Sequence, residues 1–339
     1  MQPQQTTEIF LKLPDVESLA PFNWAGCNPL FSHSKRESTE WMLSHGVFSD
    51  HKGSRLHATH PELLGAYVYP YADTNGLRIA TDLLTILFTV DEVTDAQGEQ
   101  EALATRHTCV KALTDESIDD TSPIAVFTRD YIQRLSSIST EVLERFVPHF
   151  TAYMDATTRE AGHRANGKIP TLEDHIKLRR DNGGLRTAFD VIEVVLGITL
   201  PPEVYEDRDF QSMVLAANDM ICYANDIFSY AKEYADGLDG CNSIMILMHE
   251  QGLSHQDAID EVGKLYRKCA DTFLICKETI RSFGPEVDEM VGGYVYGMEQ
   301  WVAGHNAWNM ETRRFFTGEA DEMRGKGMIK ITSHRKSIA

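Results

Sequence analysis

Residues 221–237, ICYANDIFSYAKEYADG, decide how this chain is read. The stretch is helical in pattern, and its upstream flank, SMVLAANDM, is as apolar as a core helix. Asn225, Ser229 and Glu233 nevertheless interrupt it at steps of four. On an α-helix such positions drift only about 40° per step, so the three fall on one stripe. An amide oxygen, a hydroxyl and a carboxylate are hard oxygen donors. That set suits a divalent cation whose octahedron is completed by water and phosphate oxygens. The competing reading is a polar stripe satisfied by neighbouring helices. Asn and Ser are poor helix-interior residues, so a purely structural stripe has little reason to carry them.

A second acidic pattern lies 130 residues upstream of that stripe. In TDLLTILFTVDEVTD, residues 81–95, an apolar helical run stops at Asp91, Glu92 and Asp95. Asp91 and Asp95 are four apart and share a face, where they repel unless a positive charge sits between them. Taken alone, the pattern is also that of a solvated helix end, and a chain this acidic offers it on the order of once by chance. Two long helices carrying the two patterns can face one another across a bundle. Magnesium held by carboxylates usually serves a phosphorylated ligand, which also needs cations. LRRDNGG (178–184) supplies Arg179 and Arg180, Lys232 adjoins the stripe, and METRRFF (310–316) supplies Arg313 and Arg314. Each of these is equally readable as a surface cation.

Composition narrows the partners. The chain has 339 residues and a net charge of −19, a surface that repels nucleic acid and anionic membranes. Its six cysteines form no C-x-x-C pair, which suggests reduced thiols and a cytoplasmic setting. No run reads as a secretion signal or a membrane span. P-loop, G-x-G-x-x-G, G-x-S-x-G and H-E-x-x-H patterns are absent. His57 and His60 read as a surface pair.

Helical periodicity dominates, with candidate helices over 35–47, 61–70, 76–95, 99–113, 122–136, 139–160, 171–196, 202–233, 241–250, 255–282 and 284–312. Thr171 and Ser254, each followed by early acids, look like helix caps. Gly183–Gly184 breaks a helix. No alternation of period two stands out. These signals predict one all-α domain over 1–339, with about 1–10 and 317–339 disordered.

On these residues the chain resembles a known family. DEVTD resembles the D-D/E-x-x-D motif of class I terpene synthases, and NDIFSYAKE matches their second motif, N-D-x-x-S-x-x-x-E, with the usual Lys before the Glu. The likeness covers most of the chain and is closest to fungal-type sesquiterpene synthases. LPDV at 13–16, Asn28–Pro29 and Glu40–Trp41 resemble the family's N-terminal segment. The resemblance implies a helical bundle around a central active-site cavity. It makes Asp91, Asp95, Asn225, Ser229 and Glu233 metal ligands for three magnesium ions. It makes Arg179, 46 residues before Asn225, the diphosphate sensor, Asn182 the linker and Gly183 the effector. It selects Arg314 and Phe315 as the C-terminal diphosphate clamp, where the family has Arg-Tyr. Phenylalanine cannot donate the tyrosine's hydrogen bond, and Asn182 stands where Asp or Thr is more familiar.

The implied reaction is ionisation and cyclisation of farnesyl diphosphate to a sesquiterpene hydrocarbon, with 1,11-closure through a humulyl cation towards protoilludene-like skeletons. Arg179, Lys232 and Arg314 would donate to the diphosphate as charge develops on it. The cation must be shielded from water and steadied by aromatic faces. Phe88, one turn before Asp91, is the first candidate, and Trp308, Phe315, Tyr67 and Tyr296 follow. No side chain stands out as a general base. Alternatives are a geranyl or geranylgeranyl diphosphate cyclase, a chain-elongating prenyltransferase, which the N-x-x-x-S-x-x-x-E pattern argues against, and a non-catalytic helical isoprenoid-diphosphate-binding protein. A monomer and a homodimer both suit the sequence.

Overall fold

The computed structural model describes residues 7–48, 59–114, 119–312, 314–315 and 325–333. His57, Arg313 and most of the 317–339 tail lie outside the described residues. The chain begins with β1 (Thr7–Lys12), α1 (Val16–Leu19), α2 (Phe31–His45), α3 (Pro61–Val68), α4 (Thr74–Asp95), α5 (Glu99–Thr114), α6 (Pro123–Ser136) and α7 (Thr140–Ala165). It continues through α8 (Leu172–Asn182), α9 (Leu185–Leu196), α10 (Pro202–Tyr205), α11 (Arg208–Asp236), α12 (Ser243–Gln251), α13 (His255–Thr279), α14 (Pro285–Glu311) and β2 (Met328–Ser333). Helices make up almost all of the described chain.

Helix α4 runs through the interior. Asp73 caps it by accepting from the Gly76 backbone N–H, and its residues from Leu83 to Leu87 are all buried. Its interior hydroxyls find partners: Thr85 donates to the Thr81 carbonyl at 2.9 Å, and Ser34 and Ser38 of α2 meet Thr81 and Thr85. Beyond Val90 only Thr94 of the helix is buried, so Asp91 and Asp95 emerge where the helix leaves the core.

The predicted helix 171–196 is two helices. Thr171 caps α8, as its sequence suggests, by accepting from Asp174 N–H at 3.2 Å. Gly184 then adopts φ +66°, and a Cβ there would lie 2.9 Å from Leu87 Cδ1. Only glycine meets both conditions, so α9 starts afresh against α4. The predicted helix 202–233 likewise divides, because Asp207 caps α11 by accepting from the Asp209 and Phe210 backbone N–H groups. Gly304 lets α14 cross α3 closely: an added Cβ would lie 2.3 Å from the Tyr67 carbonyl oxygen.

Two short strands, one near each end of the chain, join the helices. β1 and β2 pair antiparallel from Thr7↔Ser333 to Lys12↔Met328. Leu11, Ile329 and Ile331 turn inward and are buried. Gln256 of α13 fastens the ribbon by accepting from Lys12 N–H at 2.9 Å and donating to the Lys12 carbonyl at 3.0 Å. A two-stranded ribbon is marginal alone, and here packing and the glutamine clip supply its support.

Candidate active site

Helices α3, α4, α7, α8, α9, α11 and α14 surround a cavity of about 180 Å³. Leu64, Leu84, Leu87, Ile221, Trp301 and Trp308 form apolar parts of its lining. Asp91, Asp95, Arg179, Asn225, Glu233 and Arg314 also line it. Apolar residues and charged residues thus share one chamber.

The α4 wall carries the first acidic pair. Arg314 Nη2 donates to Asp91 Oδ2 at 2.9 Å. Arg164 of α7 pairs with Asp95 Oδ1 at 3.2 Å and Glu160 at 3.3 Å, and donates to the Thr94 carbonyl at 3.1 Å. Crowding by protein and the Asp91 charge push the Asp95 carboxyl up to about 7, against the pull of Arg164.

The α11 wall carries the opening stripe. Asn225, Ser229 and Glu233 follow one line of the helix, Ser229 being fully buried while Asn225 and Glu233 face the cavity. Asn242, in the turn before α12, donates towards Glu233 Oε2 at 2.9 Å, Ser229 Oγ at 3.4 Å and the Asp226 carbonyl at 2.8 Å. It thereby spans two of the three stripe residues. Burial and the Asp226 charge raise the Glu233 carboxyl, with Asn242 opposing them.

Arg179 joins α8 to this wall. Its Nη2 donates to Asn225 Oδ1 at 2.9 Å and Asp226 Oδ1 at 3.0 Å, and its Nη1 to Asn182 Oδ1 at 3.3 Å. Among the described residues its Nε is buried without a hydrogen-bond partner. Asp226 also accepts from Ser243 N–H at 2.9 Å and Ser243 Oγ at 2.5 Å. Burial would raise its pKa, but Arg179, His175 and Ser243 outweigh it and hold the carboxyl at about 2. Arg179 is therefore anchored on a charged acid inside the protein.

The neighbouring candidates separate cleanly. Arg180 points elsewhere, in a two-point pair with Asp219 at 2.8 and 2.7 Å. Lys232 lines the cavity and pairs with Asp236 at 3.3 Å. Asn182 and Gly183 line it too. Of the aromatic candidates, Phe88, Trp308 and Phe315 line the cavity, with Arg314 4.8 Å from the Phe88 centroid and 5.5 Å from that of Phe315. Tyr67 and Tyr296 do not line it: Tyr67 packs on Trp24, and Tyr296 is 39% exposed beside Tyr71. The ring at Phe315 thus contributes a face to Arg314 where a hydroxyl is lacking.

The residues fit a hard divalent cation in one particular sense. Among the described residues no three His, Cys, Asp or Glu side chains converge on one point. The oxygen donors are instead divided between two walls, and on α11 two of three are an amide and a hydroxyl. Such partial sets suit an ion that keeps waters and shares its shell with ligand oxygens. The crowded pair Asp91 and Asp95 gives a local excess of negative charge for it to neutralise.

Comparison with known proteins decides the family. Residues 82–272 match the family described as "Terpene synthase family 2, C-terminal metal binding". The chain belongs to terpene synthase family 2. This terpene synthase is 32% identical over 334 residues to Sesquiterpene synthase 1 of Postia placenta, covering 98% of each chain. It is 33% identical over 320 residues to a Coprinopsis cinerea protein named linoleate 10R-lipoxygenase COP4, covering 94% of this chain and 92% of that one. Among solved structures it resembles hedycaryol synthase in complex with nerolidol, with a TM-score of 0.74 and 24% identity over 88% of this chain and 100% of that one. That likeness concerns the fold.

Several residues of the site carried no motif that singled them out. Arg164, Glu160, Asn242 and Ser243 act through tertiary contacts, and Asp226, the second letter of the NDIFSYAKE motif, acts through its contacts with Arg179 and Ser243. The signal available for Asn242 was a cap-type residue just before an apolar helix, and it does accept from Ile244 N–H at 2.9 Å. His305 stands in WVAGHNAW, residues 301–308, where it and Asn306 are the polar residues. Among the described residues no helix is long and apolar enough to cross a membrane.

Proposed function

We propose that this terpene synthase ionises and cyclises farnesyl diphosphate to a sesquiterpene hydrocarbon, releasing diphosphate, with magnesium as cofactor. The observation that carries the reading is the meeting of two oxygen-donor walls, two arginines and apolar and aromatic side chains around one chamber. Asp91 and Asp95 on one side, and Asn225, Ser229 and Glu233 on the other, would hold the metal, three ions in all with diphosphate bound. Bound there, magnesium would neutralise charge on the departing diphosphate.

The chain's own residues do the rest. Arg179 offers its Nε, and Arg314 and Lys232 exchange carboxylate partners for diphosphate oxygens. Asn182 couples Arg179 to the Gly183 turn, the linker and effector positions of this reading. Leu84, Leu87, Ile221 and Trp301 exclude water from the allylic cation. Phe88 and Trp308 present ring faces to it. The name of the Postia placenta relative supports the fifteen-carbon substrate over ten- or twenty-carbon ones. The 1,11-closure through a humulyl cation rests on local likeness around 221–250. The proposal extends to a monomer or homodimer in the cytoplasm, a setting consistent with six free thiols.

The test is diphosphate release from farnesyl, geranyl and geranylgeranyl diphosphates, with magnesium and with a chelator. Release from the farnesyl substrate that stops with the chelator is the expected result. Binding without release from any of the three would replace the reading with that of a binding protein.

A further inference from the structure

The cavity lining holds one ring nitrogen base among the described residues, His305. Trp301, His305 and Trp308 stand at steps of four and three on α14, and all three line the cavity. They form one stripe facing it. His305 is 4% exposed, and its ring centroid lies 5.9 Å from that of Trp308. Asn309, one turn on, sets its amide nitrogen 3.2 Å from Nδ1 and 3.5 Å from Nε2. The other polar atoms nearby are committed or feebly basic: the Tyr153 hydroxyl donates to the Leu87 carbonyl at 2.9 Å, and the Cys222 thiol donates to the Arg179 carbonyl and Asn218.

Resting on the synthase reading above, we propose that His305 is the base that takes the terminating proton, and so sets the position of the last double bond. The balance is simple. A C–H bond beside the cationic carbon breaks, and its electron pair becomes the C=C bond. The proton goes to the lone pair of the neutral imidazole, and the resulting imidazolium passes it to the diphosphate as both products leave. A neutral ring keeps one lone pair whichever nitrogen carries its hydrogen; the Asn309 amide donates to it at rest and gives way when the proton arrives.

The surroundings hold the ring in that state. Burial, then the positive charges of Arg179 and Arg314, push its pKa down to about 3. His305 is therefore neutral before turnover and adds no charge that would repel a carbocation. A carbocation is acidic enough to protonate so weak a base, and the low affinity favours prompt return of the proton.

The test compares wild type with His305→Phe, which keeps a ring without a lone pair, and His305→Gln, which keeps polarity without a useful base. Diphosphate release from farnesyl diphosphate and the hydrocarbon profile are measured together. We expect release within about threefold of wild type in both variants, and a drop of about tenfold in the share of the wild-type olefin, replaced by other isomers or alcohols. His305→Ala with added imidazole should regain the wild-type olefin, and with thiophene, a ring of similar size without a basic nitrogen, should not. An unchanged olefin share in His305→Phe, equal rescue by thiophene, or loss of diphosphate release in both the Phe and Gln variants would overturn the assignment. Failure of wild type to release diphosphate would instead remove the synthase reading itself.

Discussion

Arg314 and Asp91, 223 residues apart in the chain, are joined by a 2.9 Å hydrogen bond from guanidinium to carboxylate. The bond ties the segment after α14 to the acidic end of α4, with the guanidinium over Phe88. Both side chains are partly open to solvent, so the pair adds little stability and is exchangeable. Under the proposed chemistry Arg314 trades this carboxylate for the diphosphate. Arg314→Ala should lower the rate of diphosphate release by about 100-fold, the loss typical of one aligned charge donor. Its unfolding free energy should change by less than about 1 kcal/mol. Stopped assays and urea titration of the same preparation check both halves.

Arg179 and Arg180 make a sharper comparison, because they are adjacent and chemically identical. Arg179 faces the cavity and is anchored on buried Asp226, whereas Arg180 is paired with Asp219 away from it. Arg179→Ala should cost about 100-fold or more in release. Arg180→Ala should keep the rate within about twofold and lose about 1 kcal/mol of stability, the scale of a partly exposed ion pair. Equal effects on rate would mean that the division between them is wrong.

Asn242 reaches Glu233 and Ser229 without itself lining the cavity. Residues that orient metal ligands from behind usually matter about 10- to 100-fold in metal affinity. Asn242→Ala should therefore raise the magnesium concentration for half-maximal activity by about tenfold. The rate at saturating magnesium should fall much less. A magnesium titration of activity separates the two.

Asp226 gives a pH signature. Its carboxyl is held at about 2 in the folded protein, below the ordinary value of 3.8. A depressed carboxyl adds stability above its unfolded pKa and loses it as pH falls through the folded one. The window is thus from about pH 4 down to about pH 2, and the amount is about 2 kcal/mol. Wild type should show this loss in urea midpoints measured across that range. Asp226→Asn should be less stable at neutral pH and lack that component of the acid dependence.

Much of this organisation is legible in the sequence where chemistry and period coincide. The run 81–90 reads as a buried helix ended by acids, and it is one. The spacing of Asn225, Ser229 and Glu233 fixes their shared line on α11, since the helix period alone dictates it. Gly183–Gly184 marks the α8–α9 break because Gly184 needs a positive φ and room beside Leu87. The β1–β2 ribbon escapes such reading because its six-residue strands join opposite ends of the chain, and no local pattern carries that pairing. Asp226 is visible as a letter in NDIFS, but its role depends on Arg179 and Ser243, 47 and 17 residues away. His305 depends on which side of α14 meets the cavity, which packing decides. Tyr67 and Tyr296 show the converse: aromatic residues at helical spacing that packing turns away from the chamber.

The central claim is tested most directly by incubating the purified chain with farnesyl diphosphate and magnesium and analysing the volatile products by gas chromatography with mass spectrometry. Glu233→Gln and a chelator are run beside it. The account expects a cyclic fifteen-carbon hydrocarbon from wild type that disappears in both controls. No hydrocarbon from wild type, or one that persists in Glu233→Gln at full yield, would contradict it.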